Sequence, residues 1–171
     1  MKRRLQHPDN FHVQSAEGWL ELGNPTEAVA ELNRISKTGS SHPTVLKLRC
    51  RAFHKAGDWN NCLDEADQLV KLYPKQVEWF ILTSDALRRL ERVQEAYDSL
   101  LSVSLKFSKV WRVPFDLSRY ASLLGRFEDS QKWFKKAILV DERATQVHGI
   151  DDPDLKPLWD SMSTTVWKLE R

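Results

Sequence analysis

The sequence predicts an all-α chain, a solenoid of four antiparallel helix pairs followed by a C-terminal helical cap. Three observations carry that expectation. A gapless internal period of 34 residues runs through most of the chain, two columns of that period hold only small side chains, and larger apolar residues surround them at helical spacing.

The period is visible in four aligned segments: Leu22-Gly-Asn-Pro-Thr-Glu-Ala28, Ala56-Gly-Asp-Trp-Asn-Asn-Cys62, Leu90-Glu-Arg-Val-Gln-Glu-Ala96 and Leu124-Gly-Arg-Phe-Glu-Asp-Ser130. Gly23, Gly57, Glu91 and Gly125 fall 34 apart. Numbered from Asp9, Pro43, Val77 and Trp111, the units place Ala16, Cys50, Ser84 and Ser118 at position 8, and Ala28, Cys62, Ala96 and Ser130 at position 20. Small residues on either side of a turn let two antiparallel helices approach closely.

Within each unit, positions 4, 7, 8 and 11 trace the buried stripe of a first helix, and positions 20, 21, 24, 27 and 28 that of a second. Position 11 holds Trp19, Phe53 and Leu87; position 24 holds Leu32, Leu100 and Phe134; position 27 holds Ile35, Leu69, Val103 and Ala137. At position 15 a glycine ends the first helix in a left-handed conformation. Glu91 stands there in the third unit, where a side chain works against such a turn. Pro114 falls in the first turn of its helix, where a missing donor is tolerated.

The pattern of small, aromatic, Gly, small, aromatic and small residues, with Pro74 closing the second unit, resembles the tetratricopeptide repeat, in the form of a small bacterial-type protein. The resemblance implies a right-handed superhelix with repeats at about 9–42, 43–76, 77–110 and 111–144, within an array of residues 1–150. Position 4, often Trp in that family, is His12, Leu46, Phe80 and Pro114 here. Residues 151–171 are expected to cap the array. Asp151 or Asp152 before Pro153 signals a helix start, with Leu155, Leu158, Trp159 and Met162 on one face and Trp159 and Trp167 packing over Trp133 and Phe134.

Composition narrows the function classes. With 41% hydrophobic and 29% charged residues, six Gly and seven Pro, the 171-residue chain is neither collagenous nor disordered. A net charge of +2 is too small to attract nucleic acid or membrane through bulk electrostatics. No apolar run approaches the roughly 18 residues of a membrane span, so membrane insertion is not expected. The basic start Met1-Lys-Arg-Arg4 has no apolar stretch behind it, which argues against a signal peptide. With only Cys50 and Cys62, a reducing compartment and a cytoplasmic location are expected.

No catalytic residue and no cofactor are expected, because the chain has no nucleophile elbow, phosphate loop or paired-carboxylate motif. The five histidines show no metal-ligand spacing. Cys50 and Cys62 face each other across one helix pair and read as small buried hydrophobes that titrate slowly. The Asp151–Asp154 cluster reads as a helix cap that complements the dipole.

The informative surface is the opposite stripe of the first helices, positions 2, 5, 9 and 12, which stacking turns into a concave groove. Its candidate peptide-binding residues are Lys47, Arg51, His54, Ile81, Arg88, Arg89, Arg112, Phe115 and Arg119, while Glu17 and Glu21 make the N-terminal end acidic. Basic side chains around Ile81 and Phe115 suit a segment of another protein that carries carboxylates and an apolar anchor. The chain therefore reads as an interaction scaffold. An RNA-binding repeat protein and a secretion-chaperone-like role are the alternatives; Glu78 and Asp85 in mid-groove and the few aromatic stacking surfaces argue against nucleic acid.

One column competes with binding. Position 9 runs Glu17, Arg51, Asp85, Arg119, so alternating charges are expected to pair between neighbouring units as a ladder. Some tetratricopeptide proteins hold a chaperone's C-terminal carboxylate with a Lys and Asn pattern on these faces. Lys47 and Arg112 are similar to parts of that clamp, but Arg51, Leu82 and Asp116 stand where its other polar groups belong.

Overall fold

Every helix of the chain begins or ends where a short polar side chain, a proline or a left-handed residue permits it. The structure is a computed structural model that describes residues 5–169, with side chains as far as Met162. The expectation for Trp167 falls outside the described side chains. The helices are α1 (Asp9–Glu21), α2 (Pro25–Leu32), α3 (Lys37–Ser40), α4 (Pro43–Ala56), α5 (Trp59–Leu72), α6 (Val77–Arg89), α7 (Val93–Leu101), α8 (Arg112–Leu123), α9 (Phe127–Val140), α10 (Glu142–Gly149) and α11 (Lys156–Leu169), with a 3₁₀ turn at Pro153–Leu155 before the last. Strands are absent among the described residues. The chain forms two compact units that divide within α6, between Ala86 and Leu87.

The turn between paired helices repeats four times. The N–H groups of Gly23, Gly57, Glu91 and Gly125 donate to the carbonyls of Leu20, His54, Arg88 and Ser122, and the next N–H of each turn reaches Trp19, Phe53, Leu87 and Ala121. This double bond pattern closes the helix only if the turn residue is left-handed. All four are, with φ of 76°, 73°, 62° and 72°. Glu91 therefore adopts the glycine conformation despite its side chain, because the turn's geometry is enforced by the helices on both sides.

In the first unit α1 pairs with α2 and α4 with α5, and α2 also packs on α4. The core joins Val13, Ala16, Leu20, Ala28, Leu32, Ile35, Val45, Leu48 and Ala52. Asn24 and Asp58 cap α2 and α5 by accepting the N–H groups of Glu27 (3.2 Å) and Asn61 (3.3 Å). Asp9 at the start of α1 accepts the Ser36 N–H (2.8 Å) and hydroxyl (2.6 Å), which fastens α3 to α1.

In the second unit α8 pairs with α9, α7 packs on α8, and α10 packs on α9. The eight residues of the two small columns, Ala16, Cys50, Ser84, Ser118, Ala28, Cys62, Ala96 and Ser130, are all fully buried in their respective units. Cys50 and Cys62 lie with their sulfurs 3.9 Å apart. At the same two positions of the fourth repeat, Ser118 and Ser130 exchange hydroxyl-to-carbonyl bonds of 2.9 and 2.8 Å.

The structure corrects the helix lengths. α2 stops at Leu32 and α7 at Leu101, so positions 27 and 28 lie beyond the helix in the first and third repeats. After α7 the hydroxyls of Ser102 and Ser104 donate to the carbonyls of Ser99 and Leu101, a local competition that ends helices. Ile35 is still buried, reached from a turn rather than a helix. The repeat pattern also gives no sign of α10, whose cap is Asp141 accepting the Ala144 N–H at 2.9 Å.

Candidate peptide-binding site

The nine side chains expected in a groove divide between the two units, and each unit treats them differently. In the first unit Lys47 does not reach into open solvent: its ammonium lies 4.8 Å from the Tyr73 ring centroid and 5.4 Å from that of Trp79. Cation–π contacts of this kind hold a lysine in place while leaving its charge intact. Arg51 is exposed, and among the described residues it makes no ion pair with Glu17. His54 points its Nε2 toward Asp85 Oδ2 at 3.4 Å and meets the Trp59 ring edge-on. Ile81 is half-buried.

The second unit holds Arg88, Arg89, Arg112, Phe115 and Arg119. Arg89 is exposed on the last turn of α6. Arg112 is 42% exposed and leans on Asp116, with Nε 3.3 Å from its carboxylate. Asp116 is fully buried between two arginines, and Arg119 Nη1 donates to it at 2.9 Å. Burial pushes the Asp116 carboxyl up, against the pull of Arg112 and Arg119.

Arg88, Arg119 and Phe115, expected to face an open groove, are instead covered by the chain's own C-terminal segment. Arg119 Nη2 donates to Asp154 at 2.7 Å, and its Nε lies 3.0 Å from Asp152. Arg88 Nε lies 3.4 Å from the same Asp154 carboxylate. Phe115 is buried in a cluster with Ala137, Leu155 and Leu158, flanked by Trp111, Phe127, Phe134 and Trp159. Ser122 Oγ accepts the Leu158 N–H at 3.2 Å. Burial works against the Arg119 charge, but Asp116, Asp152 and Asp154 overcome it and raise its pKa.

Among the described residues of the first unit, position 9 accordingly forms no ladder of ion pairs among Glu17, Arg51 and Asp85. Glu17 and Arg51 stay exposed, Asp85 lies beside His54, and Arg119 pairs with Asp116, Asp152 and Asp154. The acidic cluster is only partly a helix cap: Asp152 accepts the Asp154 N–H at 2.9 Å, while Asp154 serves the arginines. Trp159 meets Phe134 edge-on at 5.2 Å. Trp133 lies elsewhere, with its Nε1 donating to Tyr97 at 3.1 Å and Lys136 over its ring. Met162, expected on the apolar face, is exposed. Asp116, Ser122, Asp152 and Asp154 take part in this meeting although the sequence did not mark them as site residues: Asp152 and Asp154 read as a helix cap, and Ser122 as one polar position of the stripe. Their signal was complementarity: an acid-rich, leucine-bearing segment stands in the same chain as a basic stripe with an apolar floor.

The two thiols are buried and reduced. The Cys62 thiol beside it and burial together push the Cys50 thiol up, the opposite of what a reactive cysteine needs. No group of three or more His, Cys, Asp or Glu side chains is placed to hold a metal among the described residues. Nor is any of their helices long and apolar enough to cross a membrane.

Helix pairs with small facing residues, closed by the same left-handed turn, define a helical-repeat protein of the tetratricopeptide type. Solved structures share this fold. MamA of Desulfovibrio magneticus RS-1 is 18% identical with a TM-score of 0.72, over 98% of each chain. TTC0263, a thermophilic TPR protein of Thermus thermophilus, is 18% identical with a TM-score of 0.60, over 78% of this chain and 75% of that one. PilF of Pseudomonas aeruginosa is 17% identical with a TM-score of 0.62, over 78% and 61%. No family model and no curated protein sequence matches the chain. At these identities the likeness establishes the fold, an all-helical solenoid of the tetratricopeptide kind.

Proposed function

We propose that this protein is an interaction scaffold that binds an acidic or mixed acidic-apolar segment of another protein. The observation that carries the reading is the way Arg88, Arg119 and Phe115 engage Asp152, Asp154 and Leu155. Guanidinium groups hold carboxylates while an aromatic floor receives a leucine, which is the chemistry such a partner requires. The tetratricopeptide-type fold supports it, since stacked helix pairs offer extended faces for other chains. Arg51 is exposed and Arg112 is 42% exposed, so both have charge to offer a partner, and neither pairs with Asp152 or Asp154.

A direct test uses three labelled ligands: an acidic peptide with two leucines, its amide analogue with Asn and Gln for Asp and Glu, and a single-stranded RNA as a competing class. The acidic peptide is expected to bind, and the Arg51→Glu, Arg112→Glu double variant to weaken it by about tenfold or more while helicity is unchanged. Equal binding of the amide analogue defeats the reading. Tighter binding of the RNA, falling steeply with salt, replaces it with the nucleic-acid alternative.

A further inference from the structure

We infer that residues 152–158 are a resident occupant of the binding face on the second unit, displaced when a partner segment of the same chemistry binds. The inference rests on the scaffold reading and adds a regulation to it. The segment meets the residues that the repeat offers to a ligand. Phe115, Arg119 and Ser122 occupy positions 5, 9 and 12 of the fourth repeat, and Arg88 occupies position 12 of the third. Each contributes to holding the segment, through the apolar cluster, two carboxylates and the Leu158 amide. Its recognisable features are two carboxylates two residues apart, at 152 and 154, followed by leucines at 155 and 158.

The fit has defects that a better ligand would not share. Trp159 Nε1 is buried without a hydrogen-bond partner, and Arg119 Nε sits beside Asp152 but is misaligned for a hydrogen bond. Buried ion pairs recover their desolvation cost only when geometry is good and the remaining donors are satisfied. The segment is also joined to α10 through Ile150 and Asp151, both exposed, so it has a connection that can release it while α10 stays folded. A tethered occupant competes at an effective concentration near the millimolar range, so it lowers a partner's apparent affinity by the fraction of molecules in which the face is closed.

The test uses the full chain and a labelled peptide with the sequence of residues 150–162. The Asp152→Asn, Asp154→Asn variant is expected to bind this peptide about tenfold or more tightly than the wild type, and adding Arg119→Gln to abolish the gain. A folded variant with no gain means that the segment is a fixed structural cap, which overturns the inference. Should the variant fail to fold, hydrogen exchange on the wild type decides: the Leu158 amide is expected to exchange faster at saturating peptide, and an unchanged rate overturns the inference. An acidic peptide that binds the wild type, is lost with Arg51→Glu and Arg112→Glu, and binds the Asn variant no better would leave the scaffold reading standing and remove this one.

Discussion

Glu91 shows most directly how one residue is overruled by its surroundings. It holds a φ of 62° in a turn whose other three copies are glycine. A left-handed conformation costs an L-residue about 1–2 kcal/mol, so Glu91→Gly is expected to stabilise the protein by about 1 kcal/mol, read as a higher denaturation midpoint in urea. Asp9 gives a second prediction. The Ser36 hydroxyl and N–H hold its carboxyl below the usual carboxylate range. A lowered folded pKa stabilises above the unfolded value, and the contribution is lost as pH falls from about 4 through the folded value. The stability difference between wild type and Asp9→Asn should therefore be present at neutral pH and vanish in strong acid.

Helix pairs carry the next level of argument. The two small columns set how closely a pair approaches, and the fourth repeat demonstrates that two hydroxyls fit where the second repeat has two thiols. Replacing both thiols, Cys50→Ser with Cys62→Ser, is expected to keep the fold and change stability by no more than about 1–2 kcal/mol, because each new hydroxyl finds the opposite carbonyl. In the native wild type both thiols should react with Ellman's reagent only at the rate of unfolding. By contrast Ala96, fully buried, leaves no volume for a large ring, and Ala96→Trp is expected to collapse the helical signal of the repeats around it. Gly149 is a milder case. A Cβ there would come within 2.8 Å of the Phe134 ring, so Gly149→Ala should lower the thermal midpoint by an amount equivalent to about 1–3 kcal/mol.

At the largest scale, the candidate site draws on two repeats and the C-terminal segment, so no single repeat supplies it. Within the second unit the charges on α6 and α8 converge with the C-terminal segment, and the candidate site is described by that meeting rather than by any helix alone. A partner that binds through the same arginines is expected to lose affinity as ionic strength rises, with the steepest dependence for the most exposed charges. The basic face of the first unit differs in kind: Lys47 is held by Tyr73 and Trp79, which leaves Arg51 as its most available cation.

Periodicity alone determined the small columns and the three left-handed turns at Gly23, Gly57 and Gly125, since helix packing and chain reversal are local requirements that recur every 34 residues, whereas the left-handed turn at Glu91 ran against its side chain. Even Pro114 fell where expected, in the first turn of α8. The fate of the groove was not legible in the same way. Arg88, Phe115 and Arg119 carry the composition of a ligand face, but only tertiary structure decided that Asp152, Asp154, Leu155 and Leu158 would cover it. The length of α7 and the start of α10 were likewise decided by side chains that bond to the backbone outside the period. Charge complementarity between segments far apart in sequence has no period, so it becomes visible only when folding brings those segments together.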